Sequence, residues 1–566
     1  MAERNLDKRA SSTVGIALCA IAFVICILLT VAPLSRIPDP VIHLQTPAGT
    51  YLAQVGAWLP DNLGLTANHL ASQVNTNYLE FLILIALAFG IYGLCYLLIC
   101  RRAPAHKYRQ ILWLIWIGTI AAGLIYVFTP AMLSHDILVY ASYSRVLVVY
   151  HANPYFVPLS AYPHDPFYPL NYWAQAIAAY GPVWLGICAF WGLLAGSQPL
   201  GYVLAFRLLA LAAHLINIWL VTTTLRTMGQ SPRTVALGAL LYAWNPLVLL
   251  ESSLGGHNDV FMVTFILVGI LLAVRADRQG LLTRQRGYLP AIIAFTLATL
   301  IKFTTLPLIV LFILLLACRT LRPANSTLQS IRETFSHRWK PTLVTILFAG
   351  IASILVALAL YGPFWIGHSV QEIASSFTSP PSALYTENSI LRAILAWQQT
   401  NSLPPHTIGN SLLSILANHN IWNDISILAL AITILIGAVW MWQAPTIRNF
   451  ALISVAALSA LLIVTPWFYS WYVTWLIGLI AVCLPLKDNR AGRALLAFTL
   501  TFSASAFLTY LFKDGYPPFG IWTGFLFLTT IAPPILAFLI VYFSWKPSLQ
   551  VPYPAKSNAV QEKVRT

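Results

Sequence analysis

Apolar segments long enough to cross a bilayer, about 20 residues each, recur along the whole of this chain. They fall near 14–34, 78–100, 110–128, 202–225, 342–361, 424–442, 449–465, 471–486, 494–512 and 520–544. Two longer apolar regions, 235–274 and 288–318, are each interrupted by a polar apex and read as helical hairpins. The pattern predicts an all-α polytopic membrane protein with about 14 transmembrane helices. Composition agrees, since 58% of the 566 residues are apolar and 9% are charged, against about 25% charged in soluble chains. Soluble multi-domain and disordered chains are excluded. The seven cysteines all lie in or at the ends of apolar segments and form no CxxC pair, so neither a disulfide framework nor a thiolate metal site is expected.

The 32 basic residues outnumber the 17 acidic ones, which in a soluble protein would suggest nucleic acid. Their distribution argues otherwise, and no nucleic acid partner is expected. With a cytoplasmic N-terminus, 26 of the 32 fall on inner segments; Arg36, Arg145, Lys302, Arg392 and Lys513 fall outside and Arg207 within a span. This is the segregation that membrane insertion imposes. It predicts a cell-membrane protein with both termini cytoplasmic and a signal-anchor as the first span. It also makes 182–195, about fourteen apolar residues and short for a crossing, a re-entrant or interfacial helix on the outer face. Eleven of the 17 acids fall outside or at outer helix ends. None is expected at the bilayer midplane, where ion-coupled transporters hold their ion. Any chemistry belongs at the outer surface.

Polar residues gather at three outer places. The loop after the third span carries SHDILVYASYSR, with Asp136, Tyr140 and Ser144 on one helical face and Arg145 beside them. Asp136 is either a reactive carboxylate or the cap of that helix, with Ser134 as rival cap. The first hairpin apex, WNPLVLLESSLGGHNDVFM, breaks at Gly255-Gly256 and returns through His257, Asn258 and Asp259. That trio could bind a sugar or simply turn the chain; a metal would need more ligands. The second apex, LIKFTTLPL, places Lys302 in an apolar context, either snorkelling to the interface or meeting an anionic headgroup. YGPVW at 180–184, YGPFW at 361–365 and YPPFG at 516–520 read as interfacial anchors, and TPWFYSWY at 465–472 adds an aromatic cluster. Residues 362–423 read as a lid or as interfacial helices. Arg207, His214 and Asn217 are expected to satisfy one another or the bundle interior. No Walker or dinucleotide-binding motif is present in the sequence.

Taken in order, SHDILVYASYSR, ANPY, YGPVW, RLLALAAH, WNPLVLLESSLGGHNDVFM and LIKFTTLPL resemble the bacterial polyprenyl-phosphate-mannose-dependent α-mannosyltransferases, the α-1,6-mannosyltransferases of lipomannan type. The resemblance covers about residues 130–320, with WNPL and GGHND its most diagnostic part. It implies the C-type glycosyltransferase (GT-C) fold. One integral membrane domain would then contain a catalytic outer loop at 129–201, helical hairpins at 202–341, a lid-like loop at 362–423 and a cytoplasmic tail at 546–566. The implied reaction is inverting transfer of mannose from a polyprenyl-phosphate donor to an extracytoplasmic glycan or glycolipid, without metal or other cofactor. Asp136 would be the general base, Lys302 and Arg145 would stabilise the donor phosphate, and Tyr140, Tyr180, His257, Asn258 and Asp259 would hold sugar or acceptor. Many C-type enzymes carry an acidic pair in this loop, but no carboxylate adjoins Asp136; Glu251, Asp165 and Asp259 are secondary acids. The alternatives are another polyprenyl-phosphate sugar, glucose or arabinose, and a flippase or transporter of lipid-linked sugars.

Overall fold

The computed structural model describes residues 2–36, 73–102, 107–322, 331–379, 381, 385–400, 407–511 and 522–544. The YPPFG segment, the tail at 546–566 and the charged residues Asp39, Asp61, Lys513 and Asp514 lie outside the described residues. Within them the chain is helical, and the one β-type contact is an isolated bridge between Glu387 and Trp467.

Three helices, α1 (Ala2–Ser35), α2 (Gln73–Arg102) and α3 (Tyr108–Phe128), lead into a loop that carries α4 (Asp136–Val148) and α5 (Pro182–Ala195). The bundle continues through α6 (Pro199–Thr227), α7 (Pro232–Ala243), α8 (Pro246–Ser253), α9 (Asp259–Arg278), α10 (Gln285–Thr299) and α11 (Leu306–Leu321). After α12 (Ile331–Trp365) come three short amphipathic helices, α13 (Val370–Thr378), α14 (Ile390–Thr400) and α15 (Ile408–Leu416). The chain closes with α16 (His419–Gln443), α17 (Ile447–Val464), α18 (Thr474–Ala481), α19 (Arg490–Ser505) and α20 (Trp522–Ser544). Among the described residues, ten helices are long and apolar enough to cross a bilayer, or eleven segments if α7 and α8 form one bent span. The other expected crossings correspond to shorter helices, α10, Ser470–Ala481 and Leu528–Ser544.

Local chemistry explains the breaks. Proline opens α5, α6, α7 and α8, where its missing N–H costs nothing. The 53° bend between α7 and α8 falls at Asn245-Pro246. Proline drives the residue before it out of helical geometry, and Asn245 uses its side-chain oxygen to cap Leu247 and Val248. The next break needs Gly256, which adopts φ +60°, a conformation that suits glycine. Both expected hairpins are therefore present, with apices at 254–258 and 300–305.

Arg207, buried at 1% exposure within α6, pins this end of the bundle. Its guanidinium donates to the carbonyls of Val127, Thr129, Ala131 and Leu254, so one side chain joins the end of α3 to the first apex. His214 bonds the Ala243 carbonyl, and Asn217 donates to Tyr242 and to the Val260 carbonyl. These groups bond the bundle interior and not one another.

Candidate active site

The loop after α3, the two apices and the segment 465–475 meet at this end. Asp136 is the first residue of α4, and Ser134 Oγ accepts its backbone N–H at 3.2 Å. The N-cap position is His135, which makes no side-chain cap bond, and the Asp136 carboxylate turns toward Tyr140, whose hydroxyl donates to Oδ2 at 3.4 Å. His257 Nδ1 lies 3.4 Å from the same oxygen, and His257 Nε2 lies 3.3 Å from Glu251 Oε2. Glu251 is held in turn by Ser470 Oγ at 2.8 Å and Tyr510 OH at 2.5 Å. Only Asp136 of the three is accessible, its side chain 22% exposed against 0% for His257 and 1% for Glu251. Burial disfavours the imidazolium, but contacts with Asp136 and Glu251 outweigh it and push the His257 pKa up to about 9. The ring is stacked on Trp471, centroids 4.1 Å apart.

Lys302 faces inward. Its side chain is 11% exposed, Nζ lies 2.9 Å from Asp259 Oδ1, and that oxygen also accepts the Trp475 indole N–H at 2.6 Å. The ammonium sits 4.0 Å from the Tyr472 ring centroid, 5.2 Å from Trp475 and 5.8 Å from Tyr180, positions that favour a cation. The YGPVW segment docks on this turn, with Gly181 N–H donating to the Ile301 carbonyl and Val183 N–H to that of Leu300. A Cβ at Gly181 would stand 2.1 Å from the Leu300 carbonyl oxygen. The glycine is required by that close backbone approach.

Asp136, Tyr180 and Lys302 line one cavity of about 510 Å³, whose wall also includes Ile427 of α16 and Leu461 and Leu462 of α17. Phe377 of α13 contributes to it as well, so part of the 362–423 segment covers the site. Tyr140, His257, Asn258 and Asp259, expected to touch sugar or acceptor, stand behind this wall and hold Asp136 and Lys302; the Asn258 N–H reaches the Tyr140 hydroxyl at 3.4 Å. Arg145 is not brought to Lys302. It is buried in the loop, with Nε 2.5 Å from Asp165 Oδ2, an oxygen that also accepts Tyr150 OH. The anchor reading of YGPVW and YGPFW is corrected: Trp184 is wholly buried and packs on Tyr140, Phe206 and Phe261, and Tyr361 is 3% exposed against Tyr155. Trp475, Ser470 and Tyr510 escaped the sequence reading. The aromatic density of 465–475 is the signal for the first two, and it suits a membrane interface equally well; Tyr510 carries no such signal. Among the described residues, no group of three or more His, Cys, Asp or Glu is arranged to hold a metal ion.

Fold and site together define a multi-span membrane protein with an acidic and a basic side chain facing one cavity bordered by transmembrane helices. Residues 48–319 match the family described as "Alpha-(1->6)-mannopyranosyltransferase, N-terminal domain", a range that contains Asp136, Glu251, His257, Asp259 and Lys302. It is 25% identical over 394 residues to α-(1→6)-mannopyranosyltransferase A of Mycobacterium tuberculosis, a match covering 66% of this chain and 64% of the relative. It is 35% identical over 104 residues to α-(1→6)-mannopyranosyltransferase B of Corynebacterium glutamicum, covering 18% and 17% of the two chains. It is 29% identical over 166 residues to a probable α-(1→6)-mannopyranosyltransferase of Mycolicibacterium smegmatis, covering 28% and 29%. Each match spans less than two thirds of the relative's length.

Proposed function

We propose that this protein transfers mannose from a polyprenyl-phosphate-mannose donor to a glycan or glycolipid acceptor at the extracytoplasmic face of the cell membrane, forming an α-(1→6)-mannoside with inversion. The observation that carries this reading is that the Asp136 carboxylate and the Lys302 ammonium line the same cavity as aliphatic side chains of two spans. A lipid-linked sugar phosphate offers the matching chemistry: an apolar tail, an anion and an electrophilic anomeric carbon. The relatives' names supply the sugar and the linkage, and the 26-to-5 split of basic residues supports the orientation.

In this mechanism Asp136 takes the proton of the acceptor hydroxyl as its oxygen bonds to the anomeric carbon. The bond from that carbon to the phosphate oxygen breaks on the opposite face, and its electron pair leaves with the phosphate. Lys302 stabilises that charge. An ammonium has three N–H donors, and Asp259 engages Lys302 through one oxygen. Arg145, committed to Asp165, has no part in the step. Arg207, His214 and Asn217, the polar groups a transporter could use for a path, are buried and bonded to the bundle interior.

The test is incubation of the purified chain with radiolabelled polyprenyl-phosphate-mannose and α-1,6-linked mannoside acceptors. Mannosyl transfer giving an α-anomeric product is expected. Transfer only from a glucose or arabinose donor would overturn the sugar assignment. Movement of the donor across proteoliposomes without transfer would overturn the enzyme reading.

A further inference from the structure

We propose that Glu251 is a positioning residue that acts through His257 on Asp136, so that the reactive carboxylate is the outer end of a carboxylate–imidazole–carboxylate array. The inference rests on the reading of Asp136 as the base. Geometry carries it. Glu251 Oε2, the His257 ring and Asp136 Oδ2 follow one another at 3.3 and 3.4 Å, and they come from α8, the first apex and α4. The inner end is held by Ser470 and Tyr510, both on Glu251 Oε1, and the other oxygen lies 3.3 Å from His257 Nε2. Trp471 covers one face of the imidazole. His257 and Tyr140 approach the same oxygen of the Asp136 carboxylate, Oδ2.

A buried imidazole and a buried carboxylate beside a partly exposed one are costly unless the charges balance. Among the described residues, the neighbouring charged or titratable groups include Tyr140 and Tyr510, each bonded to one of the flanking carboxylates, Arg207 on the Leu254 carbonyl, the Asp259–Lys302 pair on the following turn, and Tyr469 and Tyr472 near Asp136. Of all these, Asp136 and Glu251 are the ones in ion-pair contact with the ring. An imidazolium between them keeps Asp136 ionised and aimed without competing for the acceptor proton. Removing the inner carboxylate leaves His257 with one counter-charge, so the ring loses its proton at lower pH and the aim of Asp136 is lost with it.

The experiment is the pH profile of kcat for the full chain and for Glu251→Gln, Glu251→Asp, His257→Gln, Asp136→Asn and the double variant Glu251→Gln/His257→Gln. Glu251→Gln is expected to bind donor normally and to move the alkaline limb of kcat down by about one pH unit or more. Glu251→Asp, which keeps the charge, should leave that limb near its wild-type position. The double variant buries no unpaired charge and provides the test if Glu251→Gln does not fold. Adding Glu251→Gln to His257→Gln should change the rate by less than about threefold, because a residue acting through another loses its effect when the other is gone. A wild-type limb in Glu251→Gln, or a further loss of about tenfold in the double variant, would overturn the positioning role. Full activity of Asp136→Asn would overturn the base assignment itself, whatever Glu251 does.

Discussion

Lys302 Nζ and Asp259 Oδ1 lie 2.9 Å apart, so one charge pair ties the apices of two successive hairpins together. The Trp475 indole donates to the same oxygen, and Asp259 is 1% exposed. Neither charge is therefore replaceable without exposing the other to an apolar surrounding. Asp259 has a structural task, holding Lys302 at the cavity wall.

Asp136→Asn should lose about 10²–10⁴-fold in transfer rate while expression and donor binding persist. The substitution keeps the shape of the side chain and removes its basicity. Because the N-cap position is His135 and not Asp136, helix α4 should not unfold. Sugar transfer and donor binding measured on the same preparation check this, and wild-type transfer would sink the mechanism.

Lys302→Ala should lower kcat by about 10²–10³-fold, the range seen when one stabilising donor is removed from a developing anion. It should also lower the melting temperature, because breaking a buried pair by removing one partner costs about 3–5 kcal/mol. Lys302→Arg keeps the charge and should recover part of both. Rates and thermal unfolding in detergent distinguish the effects; an alanine variant that matches wild type in rate removes Lys302 from the reaction.

Stability should fall with rising pH. His257 titrates near 6.5 when unfolded and at about 9 in the fold. A group with a raised folded pKa adds stability that is complete below its unfolded value and is lost as pH climbs through the folded one. The melting temperature of the wild type should therefore decline between about pH 6.5 and 9, and the decline should be shallower in His257→Gln. Identical slopes would mean that the imidazole is not charged between its carboxylates.

Gly181→Ala should destabilise the protein by about 1–3 kcal/mol, the usual cost of overpacking. Its new methyl meets the Leu300 carbonyl oxygen at 2.1 Å, and backbone cannot swing aside as a flexible side chain can. The turn that carries Lys302 must shift, so activity should fall together with melting temperature. A variant with wild-type unfolding and rate would show that the docked YGPVW segment does not hold that turn.

The sequence alone determined the long helices, the two hairpins and the apices that hold Asp136, His257 and Lys302. Each follows from local chemistry: an apolar run must bury its backbone in a helix, Asn245-Pro246 bends it, and Gly255-Gly256 breaks it. Tertiary structure decided what those residues face. Arg145 found Asp165 in an irregular loop with no period to reveal it, and Glu251 became the inner neighbour of His257 only when α8 met Ser470 and Tyr510. Trp184 and Tyr361 were equally suited to a headgroup belt or a protein interior, because an aromatic ring with a polar edge fits both; packing put them inside. Hydrophobic length and periodicity report that a segment is covered, but they carry no information about what covers it. Charge pairing depends on distances of a few ångströms, which only the packed bundle sets.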